Sequence, residues 1–348
     1  MAFAGILHQI DDLQYQNIEL PEIKENEVLV QVKCAGICGS DIPRVKTKGT
    51  YTFPTIPGHE FAGIVFKKGN KASHLQVGDR VTVYPLIPCH SCTFCQSGKE
   101  NLCDNYNYLG SRCDGGFAEY VKCPADNIIK IPEKVTFEEA ALVEPMAVAL
   151  RGVKRSHIKS GDKVVIFGLG PIGLFAAQWA KLRGAKVILG VDRNKHKLEI
   201  AQRVGLDYVL NSSDDRLDVN MKELIGSEGP DVVLECSGSN EFQEKAIALV
   251  KKSGTISFIG NPAGNVVFQE KYFQLILRKE VTLIGSWNSL ITSAENEWKE
   301  VVEHLALGTI HVFPIITHRF KLSEIKEVFD NLHLKKYDRY CKGIFLMG

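Results

Sequence analysis

Val165-Ile166-Phe167-Gly168-Leu169-Gly170-Pro171-Ile172-Gly173 is the stretch on which the fold turns. An apolar, largely β-branched run leads straight into Gly-x-Gly-x-x-Gly and then into a helical pattern. The run reads as a buried strand. The glycines permit a tight turn, close approach of the backbone to a pyrophosphate, and close packing of helix on strand. Pro171 sits near the first turn and Gly184 stops the helix predicted over 171–183. The start of that helix offers unpaired N–H groups and a partial positive charge to phosphates. The next strand, predicted over 186–192, ends on Asp192, 19 residues after Gly173. A carboxylate there accepts hydrogen bonds from an adenosine ribose and repels a 2′-phosphate. NAD is therefore the expected cofactor, held by Gly168, Gly170, Pro171, Ile172, Gly173, Asp192 and Arg193. Arg193 keeps NADP open as a second possibility. A glycine fingerprint alone also fits a tight turn in a sheet that binds nothing. The flanking strand and helix, together with Asp192, favour the nucleotide.

Downstream the alternation continues. Apolar runs at 208–211, 231–236, 255–260 and 281–285 read as strands, separated by helical patterns at 194–204, 217–225, 241–252 and 270–279. Six strands with intervening helices predict an α/β fold with a doubly wound, six-stranded parallel Rossmann sheet. We assign it to 149–286. Upstream the character differs. Runs such as Glu27-Val28-Leu29-Val30-Gln31-Val32 alternate with Gly- and Pro-bearing turns, which predicts an irregular β-rich domain. From about Ala294 the chain shows two amphipathic helices and two short apolar runs, too little to fold alone. Residues 1–148 and 287–348 are assigned together to a second, metal-binding domain.

The 348 residues are 45% apolar and 24% charged, with a formal net charge of +1. This is the balance of a soluble globular protein, and nothing in the charge calls for nucleic acid or a membrane surface. The first residues lack a basic segment followed by an apolar one, and the most apolar run, 140–150, is interrupted by Glu144 and Pro145. A cytoplasmic protein with reduced thiols is expected. Its ten cysteines then read as metal ligands where they cluster. The scattered Cys34, Cys113, Cys123, Cys236 and Cys341 read as small buried hydrophobes.

Cys89-x-x-Cys92-x-x-Cys95 followed by Cys103 has the spacing of a closed tetrahedral zinc–thiolate site. Such a site orders a loop and leaves no position open for chemistry. Only Lys99 and Arg112 supply positive charge nearby, which argues against a nucleic-acid knuckle. A second metal site is harder to read. Cys38-Gly39-Ser40-Asp41 follows a strand-like run, and Gly58-His59-Glu60 opens another. Thiolate, imidazole and carboxylate all ligate zinc, and three protein ligands with one open position define a catalytic zinc. The third ligand is Glu60 or Glu144, the latter a carboxylate set in the apolar 140–150 stretch. By residue type alone, a Cys-Gly turn and a loop histidine equally fit an ordinary turn and loop.

Cys38-Gly39-Ser40-Asp41, Gly58-His59-Glu60, the four-cysteine lobe, Gly115-Gly116-Phe117-Ala118-Glu119-Tyr120, Glu144-Pro145 and the glycine fingerprint follow one another in this order. Over essentially its whole length the chain thereby resembles the zinc-containing medium-chain dehydrogenase/reductase family, in its sorbitol dehydrogenase branch. The resemblance implies a β-rich GroES-like catalytic domain beside the Rossmann domain. It implies one catalytic and one structural zinc per subunit, and hydride transfer between NAD and a secondary alcohol. It implies Cys38, His59 and Glu144 as catalytic zinc ligands, with Glu60 close to the metal, Ser40 passing a proton outward and Asp41 orienting His59. A homodimer or homotetramer is implied as well.

Longer segments carry a narrower resemblance, to members of the family acting on galactitol 1-phosphate. They are Gly39-Ser40-Asp41-Ile42-Pro43-Arg44, Pro85-Leu86-Ile87-Pro88-Cys89, Gly110-Ser111-Arg112 with Asp114-Gly115-Gly116, and Arg278-Lys279-Glu280-Val281-Thr282-Leu283-Ile284-Gly285-Ser286-Trp287. A polyol phosphate substrate is implied. A phosphate needs a cation, and guanidinium groups match its oxygens two at a time. Arg112 leads Arg44 and Lys48 because it lies in one of those segments. Cys113 stands where those members carry a basic residue, a departure that weakens the phosphate reading. The rivals are a dehydrogenase of sorbitol or another polyol and, in a different class, a non-catalytic NAD-binding protein.

Overall fold

The computed structural model describes residues 1–262 and 264–348. The chain separates into two compact units, Met1–Glu144 with Leu290–Gly348, and Pro145–Ser289.

In the second unit, strands Lys163–Phe167, Val187–Asp192, Tyr208–Asn211, Val232–Glu235, Thr255–Phe258 and Thr282–Gly285 form one sheet. Counted along the unit, their order is 3-2-1-4-5-6, and every neighbouring pair is parallel. Parallel pairs need crossovers, supplied by helices Pro171–Leu182, Lys195–Arg203, Leu217–Ile225, Asn240–Leu249 and Glu270–Lys279. The order reverses between the first and fourth strands. That is the switch point where a doubly wound sheet takes a ligand beyond its carboxyl ends. Val164, Val165, Ile166 and Phe167 are all fully buried, as expected of a strand covered on both faces. Val165, Phe167, Leu189, Val191, Val233 and Ile256 pack with Leu217, Met221, Ile225, Ala246, Ile247 and Val250. Each such large side chain contributes roughly 1.5–3 kcal/mol on burial.

Each strand and helix predicted in this unit is present, with ends that agree to within three residues. The helix predicted over 241–252 stops at Leu249 because Lys279 closes it. The Lys279 ammonium donates to the carbonyls of Ile247, Ala248 and Val250 at 3.3, 2.7 and 2.7 Å. Those acceptors have no partner within the helix, and a cation there also suits the helix dipole.

The first unit is built on a seven-stranded sheet around Glu27–Gly36. That strand pairs antiparallel with Glu60–Lys68 along its length. On its other edge it pairs with Tyr120–Pro124 over its first half and with Lys342–Leu346 at its end. Val28, Val30 and Val32 alternate into a core shared with Phe61, Val65, Phe117, Phe329 and Phe345. The helices Glu297–Leu307 and Ile325–His333 and the strands Ile316–Lys321 and Lys342–Leu346 belong to this unit. One consequence matters for the site. Cys38 lies just beyond the end of the central strand, Glu60 faces Gly36 across one edge, and Ile344 faces Gly36 across the other.

No helix among the described residues is long and apolar enough to cross a membrane. Of the scattered cysteines, Cys34, Cys123 and Cys341 are buried, whereas Cys113 and Cys236 are only half-buried. Cys113 lies in the loop after Asn107–Tyr108, where it packs against the edge of the first unit's core, and Cys236 lies just past the end of Val232–Glu235.

Candidate active site

The three glycines of the fingerprint answer to different demands. Gly168 has φ of +88°, and a Cβ there would come within 2.8 Å of the Ser237 backbone. A Cβ at Gly173 would lie 1.9 Å from the Gly168 carbonyl oxygen. Gly170 is required by neither. Its φ is −68°, open to any residue, and no atom lies within 4 Å of the position its Cβ would take. The demand for glycine there comes from outside the chain, and a pyrophosphate resting on the backbone fits that cradle. The helix Pro171–Leu182 starts at this point with no side chain capping it, so its first N–H groups face the same space.

Asp192 is buried and ties the turn to the next helix. Its Oδ2 accepts from Leu169 N–H and its Oδ1 from Asn194 N–H, both at 2.8 Å. Each oxygen keeps a lone pair for a ribose hydroxyl. Arg193 is exposed. Sequence reasoning missed Glu235, fully buried at the end of the fourth strand. It accepts from Ser237 N–H at 2.8 Å and Gly238 N–H at 3.1 Å, fixing the loop against which Gly168 packs. Its acidic position in Glu235-Cys236-Ser237-Gly238, beyond an apolar strand, was the available signal.

The four clustered cysteines come together in the first unit. The sulfur separations are 4.0 Å for Cys89–Cys95, 3.6 Å for Cys92–Cys95 and 3.9 Å for Cys92–Cys103. A disulfide requires sulfurs about 2.05 Å apart. Thiolates at about 2.3 Å from a tetrahedral zinc stand about 3.8 Å from one another, so this donor set fits that ion. Backbone N–H groups of Cys89 and Cys92 donate to sulfurs of Cys103 and Cys89.

A second set of donors gathers at the end of the central strand. One ligand atom each from Cys38, His59 and Glu60 lies within 4.8 Å of the others. Asp41 is fully buried beneath them. Its Oδ1 lies 3.3 Å from His59 Nδ1 and its Oδ2 accepts from Cys38 N–H at 3.0 Å. Asp41 thus holds one ring nitrogen of His59, while the ring also meets the Cys38 thiol, the sulfur donor of the cluster. Burial raises the Asp41 pKa, but His59, Arg44 and the Cys38 N–H together outweigh it and hold the carboxyl below its usual range. Ser40 Oγ lies 3.2 Å from Cys38 Sγ. The Gly115–Phe117 segment pins the loop carrying His59. Gly115 N–H donates to Ile56 O, Gly116 N–H to Gly58 O and Phe117 N–H to Pro57 O, at 2.7, 2.7 and 3.0 Å.

Residues 24–133 match the alcohol dehydrogenase GroES-like domain, and residues 171–306 match the zinc-binding dehydrogenase domain. The chain belongs to the zinc-containing medium-chain dehydrogenase/reductase family. A sorbitol dehydrogenase of Bombyx mori is 36% identical over 94% of each chain. The galactitol 1-phosphate 5-dehydrogenase of Escherichia coli (strain K12) is 33% identical over 86% of this chain and 87% of its own. A protein of Sinorhizobium meliloti 1021 solved with NADP bound has a TM-score of 0.92 at 32% identity, covering 99% of both chains. The protein is accordingly a zinc-dependent alcohol dehydrogenase of the polyol type.

In this dehydrogenase the two candidate carboxylates differ in surroundings. Glu60 is buried, and its Oε2 lies 2.5 Å from the Lys342 ammonium. Glu144 lies outside the three-donor cluster, in the first turn of Val143–Arg155. It is also buried, and its Oε1 accepts from the Tyr108 hydroxyl at 3.2 Å. Burial is the largest influence and raises the Glu144 carboxyl to about 7, aided by Glu60 and opposed by His59, Lys342 and Tyr108. Lys342 and Tyr108 were not singled out in the sequence, because each acts through a partner remote along the chain.

The three candidate phosphate cations also differ. Arg44 is committed to Asp41 at 2.5 Å. Lys48 is exposed at the end of Arg44–Lys48. Arg112 lies over two tyrosine rings, and its Nε is buried with no hydrogen-bond partner among the described residues.

Proposed function

We propose that this enzyme transfers hydride from a secondary hydroxyl of galactitol 1-phosphate to NAD, giving tagatose 6-phosphate. The observation that carries the reading is Arg112, a guanidinium without a protein anion among the described residues, joined through Tyr106 and Tyr108 to His59. Ring centroids are 6.3 Å apart for Tyr106–Tyr108 and 5.7 Å apart for Tyr108–His59. The 33% identity to the Escherichia coli galactitol 1-phosphate enzyme supports it.

Cys38, His59 and Glu144 are assigned as the ligands of the catalytic zinc, and Cys89, Cys92, Cys95 and Cys103 as those of the structural zinc. Glu144 is preferred to Glu60 on charge. Glu60 makes a direct ion pair with the Lys342 ammonium, whereas Glu144 has no such pair among the described residues, bonds the neutral Tyr108 hydroxyl, and its burial favours a cation. Bound there, zinc supplies Lewis acidity that makes the alcohol easier to deprotonate and the ketone easier to reduce. Asp41 keeps His59 oriented. Ser40, half-buried beside Cys38, takes the hydroxyl proton and passes it outward. Gly170, the Pro171–Leu182 helix start and Asp192 hold the dinucleotide, with Asp192 favouring NAD over NADP.

Two further assignments belong to this reading. The sheet's last strand, Thr282–Gly285, has one edge with no strand beside it among the described residues, with Leu283 40% exposed and Trp287 close by in sequence at 51%. Such an edge suits pairing with a second copy, in a dimer or tetramer. Ten cysteines without a disulfide suit the cytoplasm.

The test is NAD reduction with galactitol 1-phosphate, galactitol and sorbitol at equal concentration, with and without a zinc chelator. Turnover of the phosphate alone, lost on chelation, is the expected result. Preference for a bare polyol would move the enzyme to the second reading, a sorbitol-type dehydrogenase, which the 36% identity to the Bombyx mori enzyme favours.

A further inference from the structure

The guanidinium carbon of Arg112 lies 4.0 Å from the Tyr51 ring centroid and 4.4 Å from that of Tyr106. Tyr51 N–H donates to Ser111 O at 3.2 Å, so the Tyr51 segment is laced to the residue before Arg112. Arg80 makes a comparable contact, 4.5 Å over the Phe137 ring. The use of the donors separates the two. Arg80 donates to the carbonyls of Pro132, Glu133 and Val135 and is a structural brace. Among the described residues, no carboxylate or carbonyl takes a hydrogen bond from Arg112, and its Nε is sealed from solvent. A buried donor left idle costs stability unless a ligand satisfies it. A guanidinium keeps its five donors in one plane, so rings that fix the group also fix the direction of its fork.

Tyr106 continues through Tyr108 to His59 and Glu144. An anion on Arg112 is thereby separated from the metal donors by two aromatic side chains. That arrangement suits a substrate with an oxyanion at one end and the reacting hydroxyl several carbons away.

We propose that Tyr51 and Tyr106 determine substrate specificity by holding the Arg112 guanidinium as a fork for a terminal oxyanion. A phosphomonoester and a sugar-acid carboxylate both present a pair of anionic oxygens to such a fork. The inference rests on the dehydrogenase reading above but not on its choice of galactitol 1-phosphate.

The experiment uses the zinc-loaded enzyme saturated with NADH, so that the pyrophosphate site is filled. Inorganic phosphate binding is measured by calorimetry. KM is measured for galactitol 1-phosphate, galactonate and galactitol. In Tyr51→Leu/Tyr106→Leu, and in Arg112→Lys, the phosphate Kd is expected to rise about ten-fold or more. The KM of the preferred anionic substrate should rise by a similar factor relative to galactitol. Tyr51→Phe/Tyr106→Phe keeps both rings and should retain the wild-type Kd and KM ratio. The lower KM between phosphate and galactonate identifies the natural oxyanion.

Phosphate binding that is absent in the wild type, or unchanged in the Leu/Leu variant, would overturn the inference. So would equal KM changes for charged and neutral substrates. A wild type that turns over galactitol best, yet binds phosphate through the two rings, would overturn only the choice of substrate and leave the fork standing.

Discussion

Glu60 and Lys342 meet as a buried ion pair, Oε2 to Nζ 2.5 Å, with side chains 1% and 3% exposed. Lys342 also donates to Ile37 O at 2.8 Å, next to Cys38. A Cβ at Gly36 would strike the same Glu60 oxygen at 2.2 Å, so the strand carries glycine where the carboxylate lies over it. Removing one member of such a pair strands a charge in the interior. Lys342→Met is expected to lower unfolding free energy by about 3–5 kcal/mol, and Lys342→Met/Glu60→Gln by much less. Urea denaturation of the single and double variants checks this. A loss below about 1 kcal/mol in the single variant would mean that the ammonium does not hold the carboxylate.

The four sulfurs have the spacing of a closed zinc site, which gives a stoichiometric outcome. Metal analysis of the purified enzyme should return about two zinc ions per chain, and Cys103→Ser about one. The lobe spanning 89–103 has little apolar core of its own, with only Cys95, Asn101 and Cys103 buried. Its protease resistance should fall sharply in the variant, as in domains folded by metal. Full zinc content in Cys103→Ser would remove that sulfur from the ligand set.

Gly170 separates cofactor binding from stability. Its backbone geometry suits an ordinary residue and its Cβ has open space. Gly170→Ala should change stability by less than about 1 kcal/mol, because the reduced entropy of the unfolded chain offsets the poorer helix N-cap. The same methyl group intrudes where a pyrophosphate would rest, so the NAD Kd should rise about ten-fold or more. Calorimetric titration of NAD into both proteins decides it. Unchanged affinity would show that the cradle is not where the dinucleotide lies.

How legible this was in the sequence depended on range. Strands such as Lys163–Phe167 are covered on both faces, so they appear as unbroken apolar runs, and the glycines punctuate them locally. Four of them, with the more exposed edge strands Tyr208–Asn211 and Thr282–Gly285, alternate with helical patterns and mark a doubly wound sheet. The β-rich unit was legible only as strand-like runs. Its central strand pairs with segments 60–68, 120–124 and 342–346, an order that no local pattern records. The same limit hid Lys342, which in Tyr340-Cys341-Lys342-Gly343 has the look of a surface lysine. It also hid the rings around Arg112. The donor residues Cys38, His59 and Glu60 were nameable from motifs, but what distinguishes Glu60 from Glu144 is the charge facing each, which only the folded chain supplies.

Asp231 provides a pH test in the unit that carries neither cluster of metal-ligating side chains. Its Oδ2 accepts from Lys163 N–H at 2.7 Å, and its Oδ1 pairs with the Lys251 ammonium. Burial pushes its carboxyl up, but the Lys163 N–H and Lys251 outweigh that and hold it below the usual range. A carboxyl more acidic in the folded than in the unfolded chain stabilises the fold when ionised. That contribution is complete above the unfolded value, about 3.9, and is lost as pH falls through the lower folded value. Asp231→Asn should therefore be less stable than wild type by about 1 kcal/mol near neutral pH. In urea midpoints, the gap should hold steady from about pH 7 to 5 and narrow below about pH 4. A gap that persists undiminished at the acid end would assign the difference to side-chain shape rather than to the carboxylate charge.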